Sequence, residues 1–369
     1  MGLRLTVLAV PPVIPLIHDE LQLSETAVGV LGSLPSLLFA FAAVPGALLI
    51  ARFGAVPTLV AGLILTAFGS AARGLAGGVL SLDLATIAMA AGVAVMQPSL
   101  PPLVRAWAPH RIGFATAVYT NGLLIGETLP VALTIPLVLP LFGGSWRWSF
   151  AVWALPVLAT AFLVLLVAPL EPAAKSSVPR RWWPDWKNPL VWRLAFMMGG
   201  VNTVYFATNT FLPDYLRATG HAQWISAALT SLNFCQLPFS FAMLALADKL
   251  VRRNGAYVAL AALDLAAALG MAFVPGVAIV GFAGLMGGVN AALLVLMLAL
   301  PALLAEPGDA HRVIAAMFSI SYPMAVVMPV VAGLLWDWTG NPALAFAPAA
   351  LGAIIILALA PRFDFHRTR

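Results

Sequence analysis

The chain has 369 residues, of which 62% are hydrophobic and 9% charged, and its formal net charge is +5. Soluble domains are roughly 45–50% apolar and about 25% charged, so this composition excludes a soluble globular fold and makes lipid the solvent for most of the chain. The basic residues are scattered through short loops, which excludes a nucleic-acid-binding surface, and the single cysteine, Cys235, excludes an internal disulfide and a cysteine-based metal site.

Twelve apolar stretches come close to the length of about 20 residues that a membrane-spanning helix needs. The six in the first half cover residues 1–17, 27–50, 57–75, 80–104, 112–141 and 148–167. The six in the second half cover residues 190–212, 224–246, 256–274, 277–304, 313–335 and 343–360. We therefore predict an all-α membrane protein with twelve transmembrane helices in two pseudo-symmetric six-helix bundles, of which the first helix is short.

One long polar stretch, 169–189, separates these two sets of six. We predict an N-terminal bundle over 1–168, a cytoplasmic linker over 169–189 and a C-terminal bundle over 190–369. The tryptophans Trp182, Trp183 and Trp186 suit the headgroup layer of a membrane. The stretch is consistent both with a solvated linker and with a segment that lies on the lipid surface.

The distribution of basic residues predicts the orientation. With the linker on the cytoplasmic side, fifteen of the nineteen Lys and Arg residues fall in inner loops, whereas Arg73, Arg147 and Arg217 fall in outer loops. This asymmetry follows the positive-inside rule. It predicts a multi-pass protein of the inner (plasma) membrane with both termini in the cytoplasm. The first apolar run has no small-residue cleavage site, so we predict no cleavable signal peptide.

Two short motifs recur at one offset of 201 residues. RFG at 52–54 corresponds to RNG at 253–255, and HRI at 110–112 corresponds to HRV at 311–313. Two matches at the same offset indicate duplication of a six-helix unit. Two such halves in parallel repeat, with a polar site between them, are the architecture of major-facilitator transporters.

Individual segments resemble that superfamily. GALLIARFG at 46–54 is similar to its loop 2–3 motif, with Ala51 where an aspartate is usual, and ADK at 247–249 is the better-kept copy in the second half. The chain is further similar to the branch of cyanate permeases and nitroimidazole exporters. The segments that carry this similarity are Arg4 with PVIP at 12–15, PPLVR at 101–105, PHRIG at 109–113 with Tyr119 and Thr120, GSWRW at 144–148 and FLPDYL at 211–216. The resemblance covers most of the chain and implies a transporter rather than an enzyme.

Charged side chains inside the predicted spans are candidates for function, since each costs about 2.5–3.5 kcal/mol or more at mid-helix. Arg4 offers planar, bidentate donation to a carboxylate-like or linear anion; alternatively it extends to the inner headgroups. Glu127 could take up a proton, counter Arg4 or be a protonated structural carboxyl. Asp264 is a weaker candidate, because the resembled fold places its helix at the periphery.

Neutral polar residues mark the rest of the predicted site. Asn202, Tyr205 and Asn209 follow i, i+3, i+7 and share one helical face, which indicates either a wet cavity wall or interhelical hydrogen bonds. Asn233 and Gln236 are three residues apart in the next span. The resemblance implies that spans four and ten line the cavity, which favours Gln97 and Asn290. The predicted substrate-binding residues are Arg4, Gln97, Asn202, Tyr205, Asn209, Asn290 and Tyr322, with Glu127 for proton coupling.

Three functional hypotheses remain open. The leading one is a monomeric secondary transporter, without cofactor or metal, that moves a small anion or small polar organic solute by alternating access, with symport of a proton. The alternative is a proton-coupled exporter of a neutral, nitroimidazole-type compound, in which Glu127 carries the proton and Arg4 is structural. The antiporter motif of such exporters has proline at the position that Glu127 occupies here, and this difference disfavours the alternative. A receptor or membrane scaffold without any flux is the third.

Overall fold

The computed structural model describes residues 4–22, 25–168, 182–274, 276–306 and 308–363. Within these ranges the chain contains α-helices and short 3-10 or π turns, and no β-strand. The α-helices of these ranges are α1 Ile14–Leu21, α2 Glu25–Phe53, α3 Ala55–Arg73, α4 Val79–Met96, α5 Leu100–Trp107, α6 Ile112–Leu133, α7 Leu139–Leu141, α8 Trp146–Val167, α9 Pro189–Ala218, α10 Ile225–Phe234, α11 Gln236–Leu250, α12 Asn254–Phe273, α13 Ala278–Leu304, α14 Ala310–Thr339 and α15 Ala347–Leu359.

Ten of the described helical segments are long and apolar enough to cross a membrane. Two predicted spans, 1–17 and 190–212, are not among them. Helix α9 covers the second of these and has 30 residues, but polar side chains on it, among them Asn202 and Asn209, lower its hydropathy. Length and hydropathy criteria therefore miss the helix that carries the most predicted site residues.

The first predicted span differs from a continuous helix in the part that the structure describes. Residues 4–9 form turns, Pro11–Val13 is a 3-10 helix, and α1 begins only at Ile14. Proline has no backbone N–H to donate and fixes its own φ. The adjacent Pro11 and Pro12 therefore favour a helix start after them rather than a helix through them.

Contacts in space divide the chain into two compact units, each built from separate stretches of sequence. Unit 1 draws on Met1–Leu103, Gly122–Pro184 and Pro307–Ala315, and unit 2 on Val104–Asn121, Asp185–Glu306 and Ala316–Arg369. The predicted boundaries at 169–189 stay a prediction, and residues 169–181 of that linker lie outside the described residues.

In unit 1, α3 packs against α4 and α8, and α2 packs against α4. Small residues allow the backbones to come close. A Cβ added at Gly92 in α4 would lie 2.6 Å from the backbone nitrogen of Thr66 and 2.7 Å from the carbonyl oxygen of Gly62, both in α3. Only glycine fits at this crossing. Buried Leu5 and Val13 of the N-terminal segment join Phe150 of α8 in one apolar cluster.

A polar cluster at the start of α8 ties together three parts of unit 1. Nη2 of Arg147 lies 2.8 Å from Oε1 of Glu20, and the indole N–H of Trp146 donates to Oε2 at 2.5 Å. Arg147 also donates to the carbonyls of Gly74 and Ala76, which follow α3. The hydrogen bonds that Glu20 accepts, first from Arg147 and then from Trp146, hold the pKa of its carboxyl group below its usual value.

In unit 2, α13 is the most deeply buried span. It packs against α9, α10, α11 and α12, and α15 packs against α9 and α12. A close approach again depends on glycine: a Cβ at Gly200 of α9 would lie 2.6 Å from the carbonyl oxygen of Gly352 in α15. Val204, Met286 and Phe346 belong to the apolar cluster of this unit. Because α13 contacts four helices, its side chains have little freedom to move independently of them.

Large apolar side chains also cover the outer surface of the helices. Phe41, Phe68 and Leu166 are 76%, 66% and 67% exposed. Such exposure would be costly in water. It agrees with the composition, which makes lipid the solvent for these faces.

Candidate functional sites in the two units

Unit 1 contains a partly buried ion pair between Arg4 and Glu127. Arg4 lies in the turn before Pro11–Val13, and Glu127 lies in α6. Nη1 of Arg4 is 2.8 Å from Oε1 of Glu127, and the two side chains are only 18% and 19% exposed. Charges shielded from water attract more strongly than charges at a wet surface. Protonation of Glu127, or a competing anion, would therefore change how strongly the guanidinium is held.

Arg73, predicted in an outer loop, is instead the last residue of α3 and fully buried, so that prediction is wrong. Nη2 of Arg73 donates to the carbonyl of Thr6 at 2.8 Å and to Oγ of Ser70 at 2.9 Å. Its guanidinium carbon lies 4.2 Å from the centroid of the Phe150 ring. Among the described residues it has no carboxylate partner, and Nε and Nη1 make no hydrogen bond. The charge is stabilised by a carbonyl, a hydroxyl and an aromatic face.

The polar face of α9 forms a hydrogen-bond network with the next span in unit 2. The hydroxyl of Tyr205 donates to Oδ1 of Asn233 at 2.8 Å, and Nδ2 of Asn233 donates to Oδ1 of Asn209 at 3.1 Å. Nε2 of Gln236 donates to the same Oδ1 of Asn233 at 3.3 Å. Asn233 is thus the centre of the network, which joins four polar side chains. The predicted grouping of Tyr205 with Asn209 agrees with this geometry.

The network lies at the junction of α10 and α11. Helix α10 ends at Phe234, and α11 begins at Gln236. Cys235 between them has right-handed helical dihedral angles, and its N–H donates to the carbonyl of Ser231 at 3.1 Å, so the backbone continues through the junction as one span, Ala227–Leu250. Asn233 and Gln236 lie on either side of Cys235.

Asn202 and Asn290 take a different position in unit 2. Nδ2 of Asn290 on α13 donates to the carbonyl of Val201 at 3.0 Å, which puts it next to the backbone of Asn202 on α9. Asn202 is 7% exposed, and its Nδ2 has no hydrogen-bond partner within the described residues. Asn202 therefore does not join the network around Asn233, although it shares a helical face with Tyr205 and Asn209.

Gln97 and Tyr322 are the two remaining predicted residues, and each lies in a different segment from the groups described above. Gln97 belongs to unit 1, where it begins the 3-10 helix Gln97–Ser99 between α4 and α5 and is 5% exposed. Tyr322 belongs to unit 2, on α14, and its ring centroid lies 5.4 Å from that of Phe318. Arg4, Glu127 and Gln97 thus lie in unit 1, and the other predicted residues in unit 2. A shared chamber for all of them stays a prediction.

The part of the chain that the structure describes contains no group of three or more His, Cys, Asp and Glu side chains that could hold a metal ion. The donors and acceptors of the two units are a guanidinium, a carboxylate, amides and phenols. Amides, phenols and guanidinium groups are of the kinds that bind small polar or anionic solutes, and a carboxylate can exchange a proton.

The predicted substrate-binding residues do not include Asn233 and Gln236, which hydrogen-bond with two of them or with each other, and Arg73 was predicted in a loop. Asn233 and Gln236 carried a usable signal, because their spacing of three residues puts them on one helical face. Arg73 carried none: a basic residue near the end of an apolar stretch has the same local pattern whether it is buried or in a loop.

Comparison with known proteins identifies relatives of this chain. The Major Facilitator Superfamily profile matches residues 3–263. The uncharacterized transporter YycB of Bacillus subtilis (strain 168) is 27% identical over 357 residues, covering 92% of this chain and 84% of that protein. The 2-nitroimidazole transporter of Escherichia coli (strain K12) is 27% identical over 343 residues, covering 92% and 86%. The cyanate transport protein CynX of the same strain is 24% identical over 366 residues, covering 98% and 94%.

Among solved structures, the fucose:proton symporter FucP of E. coli superposes with a TM-score of 0.79 at 16% identity, and the match covers 98% of this chain and 96% of that one. At this identity the likeness establishes the fold alone, which is the all-α major facilitator fold of a multi-pass membrane protein. Proteins of this family are transporters and not enzymes. The profile match over most of the chain and the shared fold agree, and the chain belongs to the Major Facilitator Superfamily.

Proposed function

We propose that this transporter moves a small anion or small polar organic solute by alternating access and couples the movement to a proton. The observation that carries the proposal is the Arg4–Glu127 ion pair, shielded from water in unit 1. A guanidinium is suited to a linear or carboxylate-like anion, since it presents several N–H donors in one plane.

The pair suggests how proton and anion are coupled. With Glu127 ionised, its carboxylate occupies Arg4 and competes with any substrate anion. A proton taken up by Glu127 removes that competitor and leaves the guanidinium to the substrate. Anion and proton then bind together, and the net charge of the site is the same before and after binding. Such neutral loading avoids the cost of moving an unpaired charge through the membrane interior.

Gln97 of unit 1 and the polar residues of unit 2 supply the rest of the binding chemistry in this proposal. Tyr205 and Asn209, organised by Asn233, offer hydroxyl and amide groups beside the junction of α10 and α11. Gln97, Asn202, Asn290 and Tyr322 are assigned the same role. Together they replace the water shell that the solute loses when it enters the protein.

The relatives support a small substrate of this kind. Cyanate is a linear monovalent anion, and one relative is a cyanate transport protein. The symporter of similar fold is a fucose:proton symporter. Because these relatives are bacterial, we assign the protein to the inner membrane. We further propose that it is a monomer with both termini in the cytoplasm. Its two six-helix halves, 1–168 and 190–369, would alternate access to the site.

The alternative is export of a neutral, nitroimidazole-type compound in exchange for protons. It is favoured by one specific observation, the 27% identity to a 2-nitroimidazole transporter. In this version Glu127 carries the proton, and Arg4 has the structural role of stabilising the Glu127 carboxylate.

Flux measurements in proteoliposomes separate the two versions. We expect Arg4→Ala to abolish uptake of radiolabelled cyanate, and Arg4→Lys to raise its KM about 10- to 100-fold, because charge-assisted hydrogen bonds contribute about 1.5–3 kcal/mol. Glu127→Gln should allow cyanate exchange that no longer depends on a pH gradient. Arg217→Ala is the matched control, since its side chain is 70% exposed. Normal cyanate flux in Arg4→Ala, with 2-nitroimidazole efflux lost in Glu127→Gln, would support the alternative instead. No flux of either compound would leave the receptor or scaffold hypothesis.

A further inference from the structure

Arg73, which the proposed function does not use, is a fully buried cation in unit 1. It is the last residue of α3 and is 0% exposed. A guanidinium keeps its charge in proteins, and the ion pairs of the described residues do not include Arg73. A buried charge without a charged partner is costly, and an apolar side chain packs in its place at lower cost. The contacts that Arg73 makes therefore indicate what the charged side chain does there.

Two helices hold the Arg73 side chain in place. Its Nη2 donates to Oγ of Ser70, about one turn earlier on α3, at 2.9 Å. That hydroxyl in turn donates to the carbonyl of Phe150 on α8 at 3.1 Å. The guanidinium carbon lies 4.2 Å from the centroid of the Phe150 ring. These contacts leave the guanidinium little freedom to turn, so a further group that it binds is held as well.

That further group is the carbonyl of Thr6, in the N-terminal turn that follows Arg4. Nη2 of Arg73 donates to this carbonyl at 2.8 Å, and Thr6 is 0% exposed. The N–H groups of Val7 and Leu8 both donate to the carbonyl of Arg4 at 3.1 Å, so Thr6 lies inside a hydrogen-bonded turn. A bond that fixes the Thr6 carbonyl therefore also fixes the backbone of Arg4.

Apolar packing alone would hold this turn less sharply. Leu5 and Ala9 are buried in the apolar cluster that contains Phe150, and Leu129 of α6 packs against the same cluster. Burial of apolar surface is non-directional, so it keeps the turn in the core without setting its rotation. A hydrogen bond has a preferred distance and angle. The bond from Arg73 to Thr6 therefore determines which way the turn faces.

The ion pair of Arg4 depends on that orientation. Nη1 of Arg4 lies 2.8 Å from Oε1 of Glu127, and arginine side chains have considerable rotamer freedom. When the backbone of the turn is held, only the side chain has to be ordered for Arg4 to meet Glu127 or an anion. When the turn is free to rotate, its backbone has to be ordered too, which weakens binding.

We propose that Arg73 is a positioning residue of the anion site: its hydrogen bond to the Thr6 carbonyl fixes the N-terminal turn so that Arg4 faces Glu127 and the substrate. Arg73 acts through Thr6 and Arg4 rather than by touching the substrate. For its role in transport this inference rests on the proposed function. The effect of Arg73 on the contact between Arg4 and Glu127 does not.

A double-mutant cycle tests that effect in the purified full-length protein. The coupling between Arg4 and Glu127 is measured from the unfolding of Arg4→Leu, Glu127→Leu and the double variant, in the wild-type background and in Arg73→Met. Arg73→Met keeps a long side chain but removes every N–H donor, so the coupling should fall. Arg73→Lys, which keeps a charged donor, should restore part of it.

Leu82→Ala is the control, because Leu82 is 1% exposed in the same apolar cluster and its loss should destabilise unit 1 without removing the bond to Thr6. The coupling should stay unchanged in this background. Arg73→Gln covers the case in which Arg73→Met does not fold, since its side chain is polar but too short for the same contact. A coupling in Arg73→Met or Arg73→Gln equal to the wild-type value would overturn the proposal.

Cyanate uptake by proteoliposomes tests the role in transport. Arg73→Met should raise the KM about 10-fold, because a hydrogen bond from a charged donor is lost, with kcat within about twofold of the wild type. A purely structural role would instead lower the amount of active transporter and leave the KM unchanged, as we expect for Leu82→Ala. An unchanged KM in Arg73→Met would overturn the role in transport. If the wild type does not transport cyanate but the coupling falls in Arg73→Met, the proposed function fails and the positioning of Arg4 stands.

Discussion

The ion pair between Arg4 and Glu127 makes a strong prediction about stability. We consider Arg4→Leu, Glu127→Leu and the double variant. At 2.8 Å and an effective dielectric constant of about 20, the attraction is roughly 6 kcal/mol, part of which offsets the desolvation of the two groups. Removal of one partner leaves the other charge shielded from water and should lower the free energy of unfolding by about 3–5 kcal/mol.

The double variant should behave differently from the sum of the single ones. It lacks the attraction but leaves neither charge alone, and replacing a shielded ion pair by apolar side chains is often close to neutral. We therefore expect the double variant to be more stable than either single variant. The order of stabilities, rather than their absolute values, tests the reasoning.

The measurement is equilibrium unfolding of the full chain in one detergent, followed by fluorescence of its 11 tryptophans. Asp214 and Arg217 provide the matched control, with a distance of 3.7 Å and side chains that are 59% and 70% exposed. Their coupling should be about 0–1 kcal/mol and should weaken with salt. If the double Arg4/Glu127 variant instead loses the sum of the two single losses, the pair contributes no coupling, and the proposed competition between Glu127 and substrate loses its support.

Three further predictions concern other parts of the chain. Arg147 lowers the pKa of Glu20. Their contact should therefore contribute its whole stabilisation above the usual glutamate pKa of about 4.3, and this contribution should be lost as the pH falls through the lowered pKa. Thermal unfolding of Glu20→Gln at a series of pH values should lack this acid-dependent loss. Gly92→Val should lower the free energy of unfolding by about 1–3 kcal/mol, because the added side chain would overpack the crossing of α4 with α3. Gly77→Ala is the control, because a Cβ there meets nothing within 4 Å; it should change the free energy of unfolding by no more than ~0.5 kcal/mol. Asn233→Ala should raise the KM of the proposed substrate roughly fivefold, since the lost hydrogen bonds organise the site at about 1 kcal/mol; an unchanged KM would assign the network to interhelical packing.

The helices and the family could be predicted from the sequence for one physical reason. In lipid every backbone N–H and C=O must be satisfied within its own segment, so a long apolar stretch has few alternatives to a helix. The same regularity put Tyr205 and Asn209 on one face, because helical periodicity is a local property. That both residues hydrogen-bond to Asn233, on another helix, does not follow from this periodicity. The N-terminal segment was less predictable, since several prolines compete with the helix there.

Contacts between distant residues are a different matter. Nothing local in the sequence tells that Arg4 meets Glu127, which follows it by 123 positions, or that Arg73 is buried against Phe150 rather than in a loop. Hydropathy determines which segments are helical, because the bilayer acts on each segment alone. Which charged side chain finds a partner depends on how the helices pack, and only the tertiary structure decides that.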